Sequence, residues 1–204
     1  MGYSWRTMPR RNPFNSIRFV ENFNAYLDNL NPAELQKLFQ TKGNRRLYKK
    51  KDFFVRQHAV SRVAGWVESG TFHYLYYDAV GKVHVVGYAF AQEFVCDYAS
   101  FVQVCASKVS IQALADCVVY ELPLAELLAF WESDSAAQQM GRRVAENLYE
   151  VAYDRFLDTY NSPEIRYKKL MQRCPGLKEV VPLRSIASYL GVTPETISHI
   201  RKRI

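Results

Sequence analysis

The sequence lacks the signals of secretion, membrane insertion and disulfide-based folding. Its apolar runs stay well short of the roughly 18 residues needed to span a bilayer. Its basic start has no apolar core of the kind that a secretory signal requires. The four cysteines (Cys96, Cys105, Cys117 and Cys174) form no CxxC pair, so we expect reduced, mostly buried thiols. These absences predict a cytoplasmic protein that does not associate with membranes.

Motifs for catalysis and for metal binding are also scarce. No Ser/His/Asp triad or pair of catalytic carboxylates can be identified. A cupin-type metal site needs closely spaced histidines, but His73 and His84 are eleven positions apart. We therefore expect no catalytic residue, no metal ligand and no cofactor, and the sequence favours a binding protein over an enzyme.

Positive charge is present, but it is unevenly distributed along the 204 residues, whose formal net charge is +7. Residues 1–56 carry 12 Lys/Arg against 4 Asp/Glu, residues 57–165 carry 6 against 14, and residues 166–204 carry 9 against 2. The N-terminal excess is typical of a solvated charged face. A basic C-terminal segment beside an acidic middle segment is what DNA binding through one end requires.

Residues 183–204 have the pattern of a helix-turn-helix. Ile186, Ala187 and Leu190 mark the buried side of the first helix. The small Ala187 lets a second helix cross closely, and Gly191 tolerates the left-handed conformation that ends a helix. The second helix is predicted to begin at Pro194, with Thr193 as its N-cap and with Ile197 and Ile200 buried.

The outer face of this second helix is polar and basic, which predicts a recognition helix in the major groove of double-stranded DNA. We expect Glu195, Ser198 and His199 to reach base edges from the first turns of the helix. The other predicted DNA contacts, mostly to phosphates, are Thr193, Thr196, Arg201, Lys202 and Arg203.

The chain before this motif is predicted to contain a β-rich domain between two helical regions. Residues 16–39 hold two helical patterns, the second opening at Asn31-Pro32. Short strands separated by turn residues at this spacing predict an antiparallel sandwich or jelly roll. The strand-like runs are 45–57, 62–78, 82–90 and 108–122, with turns at Gly70, 78–81 and Gly87, a short helix with a loop in 91–104, and helices at 124–131 and 163–172.

Residues 134–160 are predicted to form one long helix with two adjacent apolar rows. A helix of this kind must bury more than one side. We expect it to pack against its own β-domain and against the same helix of a partner in a homodimer, with packing on a single domain as the alternative. The first row consists of Met140, Val144, Leu148 and Val151, and the second of Ala145, Tyr149, Ala152 and Phe156.

This order of elements resembles that of Crp/Fnr-type transcription regulators, from about Phe39 to the end of the chain. LYKKKDFFVRQ (47–57) is similar to the first strands of the family's cyclic-nucleotide-binding-like jelly roll, and residues 65–88 are similar to its central hairpin. IASYLGVTPETISHIRKRI (186–204) is similar to its recognition motif. The resemblance implies an α+β fold, a homodimer on a near-palindromic operator and an effector pocket in the β-domain. It also allows RNA polymerase as a partner.

The resemblance also implies a division of the chain. It places an effector-sensing antiparallel β jelly roll in residues 1–132, a long dimerisation helix in residues 133–160 and a C-terminal helix-turn-helix in residues 161–204. The helix-turn-helix would be winged-helix-like, with its wing truncated or absent.

The effector-pocket candidates implied by the resemblance are Glu93, Phe94, Ser107 and Lys108. Nucleotide-binding relatives carry a Gly-Glu-Leu segment followed by an Arg-Ser or Arg-Thr pair. Here Gln92 replaces the glycine, and Lys108, which lacks the bidentate fork of arginine, is the basic residue of the second segment. We therefore expect that the domain does not bind cyclic AMP and that it binds a different small-molecule effector or none.

Other sensor chemistries have weaker support. Iron–sulfur sensing in this family uses a cysteine cluster near the N-terminus, and no cysteine precedes Cys96. A haem could take a ligand from His58, His73 or His84, although a lone histidine in a strand is more often packed or solvated.

The sequence thus supports a dimeric, DNA-binding transcription regulator. Relatives usually have arginine where Pro194 and His199 stand, so the operator should differ from theirs. The alternative is a ligand-binding or protein-interaction module whose helix-turn-helix has lost specific DNA binding.

Overall fold

The computed structural model describes residues 23–24 and 32–203. The first helical pattern of residues 16–39 falls almost entirely outside the described residues. The second forms α1 (Ala33–Lys42), which buries Leu35, Leu38 and Phe39 as predicted.

Two four-stranded antiparallel sheets form the centre of the described chain, with strand orders β1-β8-β3-β6 and β2-β7-β4-β5. This arrangement confirms the predicted α+β fold with an antiparallel jelly roll. The two-residue strand β6 was not predicted, because two residues carry no periodic pattern. The strands are β1 (Asn44–Tyr48), β2 (Phe53–Val55), β3 (Val63–Ser69), β4 (Thr71–Tyr77), β5 (Val83–Phe90), β6 (Phe94–Val95), β7 (Ser110–Ala113) and β8 (Cys117–Pro123).

The two faces of β3 contact different cores, as the period-2 alternation of a strand requires. Val67 lies between the two sheets, whereas Ala64 and Trp66 pack on the opposite side with α1 and the helix that follows β8. Gly65 also faces the space between the sheets. A Cβ added there would lie 2.5 Å from Val119 Cγ1, so only glycine allows the strands this close approach.

Helices supply the rest of the regular secondary structure in the described chain, and all but one of them were predicted. The one-turn helix α6 was not predicted. The helices after α1 are α2 (Tyr98–Gln103), α3 (Leu124–Trp131), α4 (Ser135–Asp158), α5 (Pro163–Arg173), α6 (Leu177–Val180), α7 (Leu183–Tyr189) and α8 (Pro194–Arg203). None of the helices in the described ranges is long and apolar enough to cross a membrane.

The C-terminal helices pack directly against the second sheet. α7 lies on β5, and one apolar cluster joins Val85 and Tyr88 of the sheet to Ile186 and Ala187 of α7. Two side-chain hydrogen bonds cross the contact: the Val85 N–H donates to Ser188 Oγ at 2.9 Å, and the Tyr88 hydroxyl lies 2.6 Å from Ser185 Oγ. The helix-turn-helix is therefore docked on the β-domain by apolar burial and by hydrogen bonds.

Candidate nucleic-acid interface and sensor cavity

The turn between α7 and α8 has the geometry predicted for a helix-turn-helix. Gly191 has a φ of +65°, in the left-handed region that favours glycine. The Val192 N–H donates to the Ala187 carbonyl at 2.9 Å, and the Gly191 N–H donates to the Ser188 carbonyl at 3.0 Å. These bonds satisfy two carbonyls in the last turn of α7. The predicted buried residues are all buried: Ile186, Ala187, Leu190, Ile197 and Ile200.

The first turn of α8 is capped as predicted. The Thr196 N–H donates to Thr193 Oγ1 at 3.2 Å. Glu195 lies in the same turn, where its own backbone N–H and the Thr193 side chain lower its pKa, so its carboxylate is charged at neutral pH. Ser198 Oγ donates to the Pro194 carbonyl at 3.0 Å.

A polar and basic face of α8 is open to solvent. Ile197 and Ile200 bury the opposite face, so the face is held outward by apolar packing. Thr196 and Ser198 are half-buried at its edge, and the exposed side chains are Thr193, Glu195, His199, Arg201, Lys202 and Arg203. All eight predicted DNA contacts thus lie on one helix and its cap.

The two apolar rows of α4 have different surroundings. Met140, Val144, Leu148 and Val151 face the β-domain and line a cavity beside it. The second row faces solvent in the single chain: Tyr149 is 70% and Phe156 56% exposed. The exposed apolar surface continues past the end of the helix through Tyr153, Leu157 and Tyr160.

The cavity beside α4 has a volume of about 320 Å³. Its walls come from α1, α2, α3, α4 and the strands β3, β4, β5 and β6. Most lining side chains are apolar, and among the described lining residues only Asp97 and Arg155 carry a formal charge. Burial raises the pKa of the Cys96 thiol to about 12 and that of Tyr74 well above its ordinary value, so both are neutral.

Glu93, a predicted effector contact, is buried and bonded within the protein. Its carboxylate accepts hydrogen bonds from the Phe90 N–H at 2.8 Å and from Asn24 Nδ2 at 2.5 Å. Burial raises the pKa of Glu93 to about 7, and these hydrogen bonds together with the Arg173 guanidinium oppose that rise. Gln92, at the position of the relatives' glycine, has a φ of +70°.

The structure places the other three effector candidates in different surroundings. Phe94 lines the cavity, whereas Glu93, Ser107 and Lys108 are not among its described lining residues. Ser107 Oγ lies 3.0 Å from Asp97 Oδ2, and the Lys108 N–H donates to the same oxygen at 2.9 Å. The Lys108 side chain is exposed.

The strand histidines have protein partners. His73 Nε2 lies 3.1 Å from Gln112 Oε1, and burial lowers the pKa of His73. His84 Nε2 lies 2.8 Å from Asp78 Oδ2. Among the residues that the structure describes, no group of three or more His, Cys, Asp or Glu side chains is placed to hold a metal ion.

Three residues at the cavity were not predicted from the sequence. Trp131, on α3, lines it, and its Nε1 is buried without a hydrogen-bond partner among the described atoms. Arg155 donates from Nη1 to the Val86 carbonyl at 2.5 Å, and Asn24 donates from Nδ2 to the Tyr88 carbonyl at 3.1 Å. The position of Arg155 could have been predicted from the sequence, because it lies four residues after Val151 and so continues the inward row of α4.

No protein-family model matches the sequence, and a search of curated proteins finds no match. Solved structures with the same fold are found. FixK2 from Bradyrhizobium japonicum superposes with a TM-score of 0.66 at 14% identity, covering 79% of this chain and 83% of that one. A CooA mutant from Carboxydothermus hydrogenoformans gives 0.61 at 16% identity, covering 92% and 86%.

A third similar structure is the c-di-GMP responsive global regulator CLP from Xanthomonas campestris, with a TM-score of 0.60 at 16% identity, covering 84% of this chain and 90% of that one. At these identities the similarity shows the fold and leaves the function to be argued from the residues. The chain has the fold of the Crp/Fnr-type transcription regulators.

Proposed function

We propose that this protein is a DNA-binding transcription regulator that acts as a homodimer on a near-palindromic operator. The observation that carries the proposal is the outer face of α8, whose polar and basic side chains are held outward by buried Ile197 and Ile200. An exposed helix with this face fits the major groove of DNA. Residues 1–132 would sense, residues 133–160 would dimerise, and residues 161–204 would bind DNA.

Direct base contacts are proposed for the first turns of α8. Glu195 and His199 are exposed there, and the Glu195 carboxylate can accept a hydrogen bond from a cytosine amino group. Arg201, Lys202 and Arg203 follow in the last turn, where they would contact phosphates and set the register of the helix.

The exposed row of α4 supports the dimer. Tyr149 and Phe156 are more than half exposed on a helix whose neighbouring row already faces the β-domain. Large exposed apolar side chains on one helix face favour association with another protein surface. The same row on a second copy is self-complementary, as a two-fold dimer requires, and a two-fold dimer presents two α8 helices to two half-sites.

Selection from a random pool of double-stranded DNA tests the function. The wild-type protein should enrich a sequence with two related half-sites, and Glu195→Ala should lose preference at one base pair of each half-site by about 1–3 kcal/mol. Arg201→Ala should weaken binding to all sequences and reduce the slope of log affinity against log salt by about 1 per half-site. Arg142→Ala, on α4, is the control for loss of charge.

Failure to enrich any palindrome would overturn the proposal and favour a protein-interaction module. A dimer that binds its operator can then be tested for activation or repression, and for contact with RNA polymerase, by transcription from a promoter carrying that operator.

A further inference from the structure

Residues 23–24 lie where the β-domain meets the helix-turn-helix, although they come first in the described chain. Phe23 is 9% exposed and belongs to the apolar cluster that joins β5 to α7. An N-terminal segment therefore reaches the contact that docks the DNA-binding helices on the sheet. The base and phosphate contacts proposed for α8 make no direct use of these two residues.

The Phe23 ring contacts both strand β5 and helix α7. Its centroid lies 5.3 Å from that of Tyr88 and 5.4 Å from that of Phe90, both on β5. It also lies 5.4 Å from the centroid of the Tyr189 ring on α7. The Tyr88 and Tyr189 rings are 5.8 Å apart, so side chains from three separate segments meet in one aromatic cluster. Aromatic pairs at these distances stabilise a contact beyond the burial of their apolar area.

Asn24 joins the same segment to the β-domain by hydrogen bonds. Its Nδ2 donates to the Tyr88 carbonyl at 3.1 Å and to Glu93 Oε2 at 2.5 Å, and its backbone N–H donates to Glu93 Oε1 at 3.3 Å. Strand β5 lies at the edge of its sheet, where backbone groups need partners other than a further strand. Asn24 is one such partner and Ser188, which accepts from the Val85 N–H, is another. The N-terminal segment and α7 thus bind the same sheet edge.

Docking at this edge restricts the orientation of α8 within its subunit. α7 packs on β5 and leads into α8 through the turn at Gly191. The outer face of α8 stays exposed in the docked arrangement, so docking is compatible with DNA binding. A two-fold dimer that binds two half-sites must present its two recognition helices at one separation. Each helix must therefore keep a fixed position relative to the rest of its subunit.

We propose that Phe23 and Asn24 are positioning residues, which keep the helix-turn-helix on β5 and thereby set the half-site spacing that the protein accepts. The spacing role rests on the proposed function, because it needs a dimer on a two-part operator. The docking role does not, because it concerns contacts within one chain.

Hydrogen exchange of the full-length protein tests the docking role without DNA. Phe23→Ala removes the ring that contacts Tyr189, so exchange in residues 183–189 should become about fivefold faster or more, the equivalent of one aromatic pair. The strands β3 and β8 should keep their rates. Phe54→Ala is the matched control, because Phe54 is also 9% exposed but packs in the cluster between the sheets. It should not accelerate residues 183–189 more than β3 and β8.

Operator spacing is the second measurement. The two selected half-sites are placed at the selected separation, or with one or two base pairs inserted or removed, and one inserted base pair rotates a half-site by about a tenth of a turn. The preference of the wild-type protein for the selected separation should fall about fivefold in Phe23→Ala and about threefold in Asn24→Ala. Affinity for a single half-site should stay unchanged, and Phe54→Ala should keep the wild-type preference. Phe23→Leu, which keeps an apolar side chain and removes the ring contacts, replaces Phe23→Ala if that variant does not fold.

Several outcomes would overturn the proposal. Unchanged exchange in residues 183–189, an unchanged spacing preference, or equal effects of Phe54→Ala would each do so. Tighter operator binding by Phe23→Ala would also overturn it, because docking would then oppose DNA binding. If the wild-type protein selects no operator, the proposed function and the spacing role both fail, and hydrogen exchange alone decides the docking role.

Discussion

The hydroxyl of Tyr88 on β5 lies 2.6 Å from Oγ of Ser185 on α7, 97 positions later in the chain. Tyr88 is 2% exposed, and Ser185 is half-buried. The contact joins the β-domain to the first helix of the helix-turn-helix. The Val85–Ser188 hydrogen bond lies beside it. Two serine side chains of α7, Ser185 and Ser188, therefore contact the same strand, β5.

A double-mutant cycle should detect this contact. Tyr88→Phe and Ser185→Ala should each reduce the free energy of unfolding, and the coupling between them should be about 0.5–1.5 kcal/mol, the net value of one hydrogen bond. Urea unfolding of the wild-type, single and double variants gives the coupling. Tyr120→Phe, which removes a hydroxyl bonded to Glu68, should be additive with Ser185→Ala. A Tyr88–Ser185 coupling near zero would show that the two hydroxyls do not interact in solution.

The stability of the protein should depend on pH through Glu93. Burial raises its pKa from 4.5 to about 7 in the folded protein. The folded state therefore holds a proton that the unfolded state loses, so this contribution is fully present below about pH 4.5 and is lost as the pH rises through about 7. The full loss is about 3 kcal/mol.

Glu93→Gln isolates this effect. The amide cannot ionise, so the variant should lack the part of the decline in unfolding free energy that lies between pH 5 and about 7. Urea unfolding at a series of pH values measures the difference. Glu68→Gln, in a more exposed pair with Arg45, is the matched control and should keep the decline. An identical pH profile for wild-type and Glu93→Gln proteins would contradict the prediction.

The local elements could be predicted from the sequence, whereas the contacts between distant elements could not. Residues 183–204 carry their own cap, turn and burial pattern, so Thr193, Gly191 and Ile197 indicated the geometry that is observed. Strand runs separated by turn residues likewise predicted the jelly roll. Such signals lie within one or two elements.

The cavity beside α4 depends on contacts that have no local signal in the sequence. Asn24 bonds Glu93 69 positions away, and Ser188 bonds Val85 103 positions away. The resemblance pointed to Glu93, Phe94, Ser107 and Lys108 as effector-pocket candidates. Of these four, Phe94 is among the described residues that line the cavity, together with Trp131, Arg155 and the inward row of α4. Its position follows from how α4 and α3 pack on the sheet, which a single sequence does not reveal.

Charge placed on the exposed row of α4 should dissociate the proposed dimer. Phe156 is 56% exposed in the single chain, and a two-fold axis would bury it twice. Phe156→Glu should therefore weaken the dimer by about 4 kcal/mol, from two buried aromatic side chains, and sedimentation equilibrium measures this. Arg143→Glu lies on the opposite side of the helix and should leave association unchanged. A wild-type protein that sediments as a monomer at micromolar concentration would rule out this interface.

Loss of the Arg155 guanidinium should increase the local opening of α7 without unfolding the β-domain. Arg155 holds the Val86 carbonyl at 2.5 Å and covers the Tyr189 ring at 4.4 Å, so it links α4, β5 and α7. Arg155→Leu removes a charged hydrogen bond and a cation–π contact, together about 2 kcal/mol. Hydrogen exchange should become faster in residues 183–189 and remain slow in the β3 and β8 strands, because those strands lie in the other sheet. Arg142→Leu, whose ion pair with Glu146 is exposed, should change neither region. Equal acceleration in both regions of Arg155→Leu would mean that the residue supports the whole fold and has no separate role in docking α7.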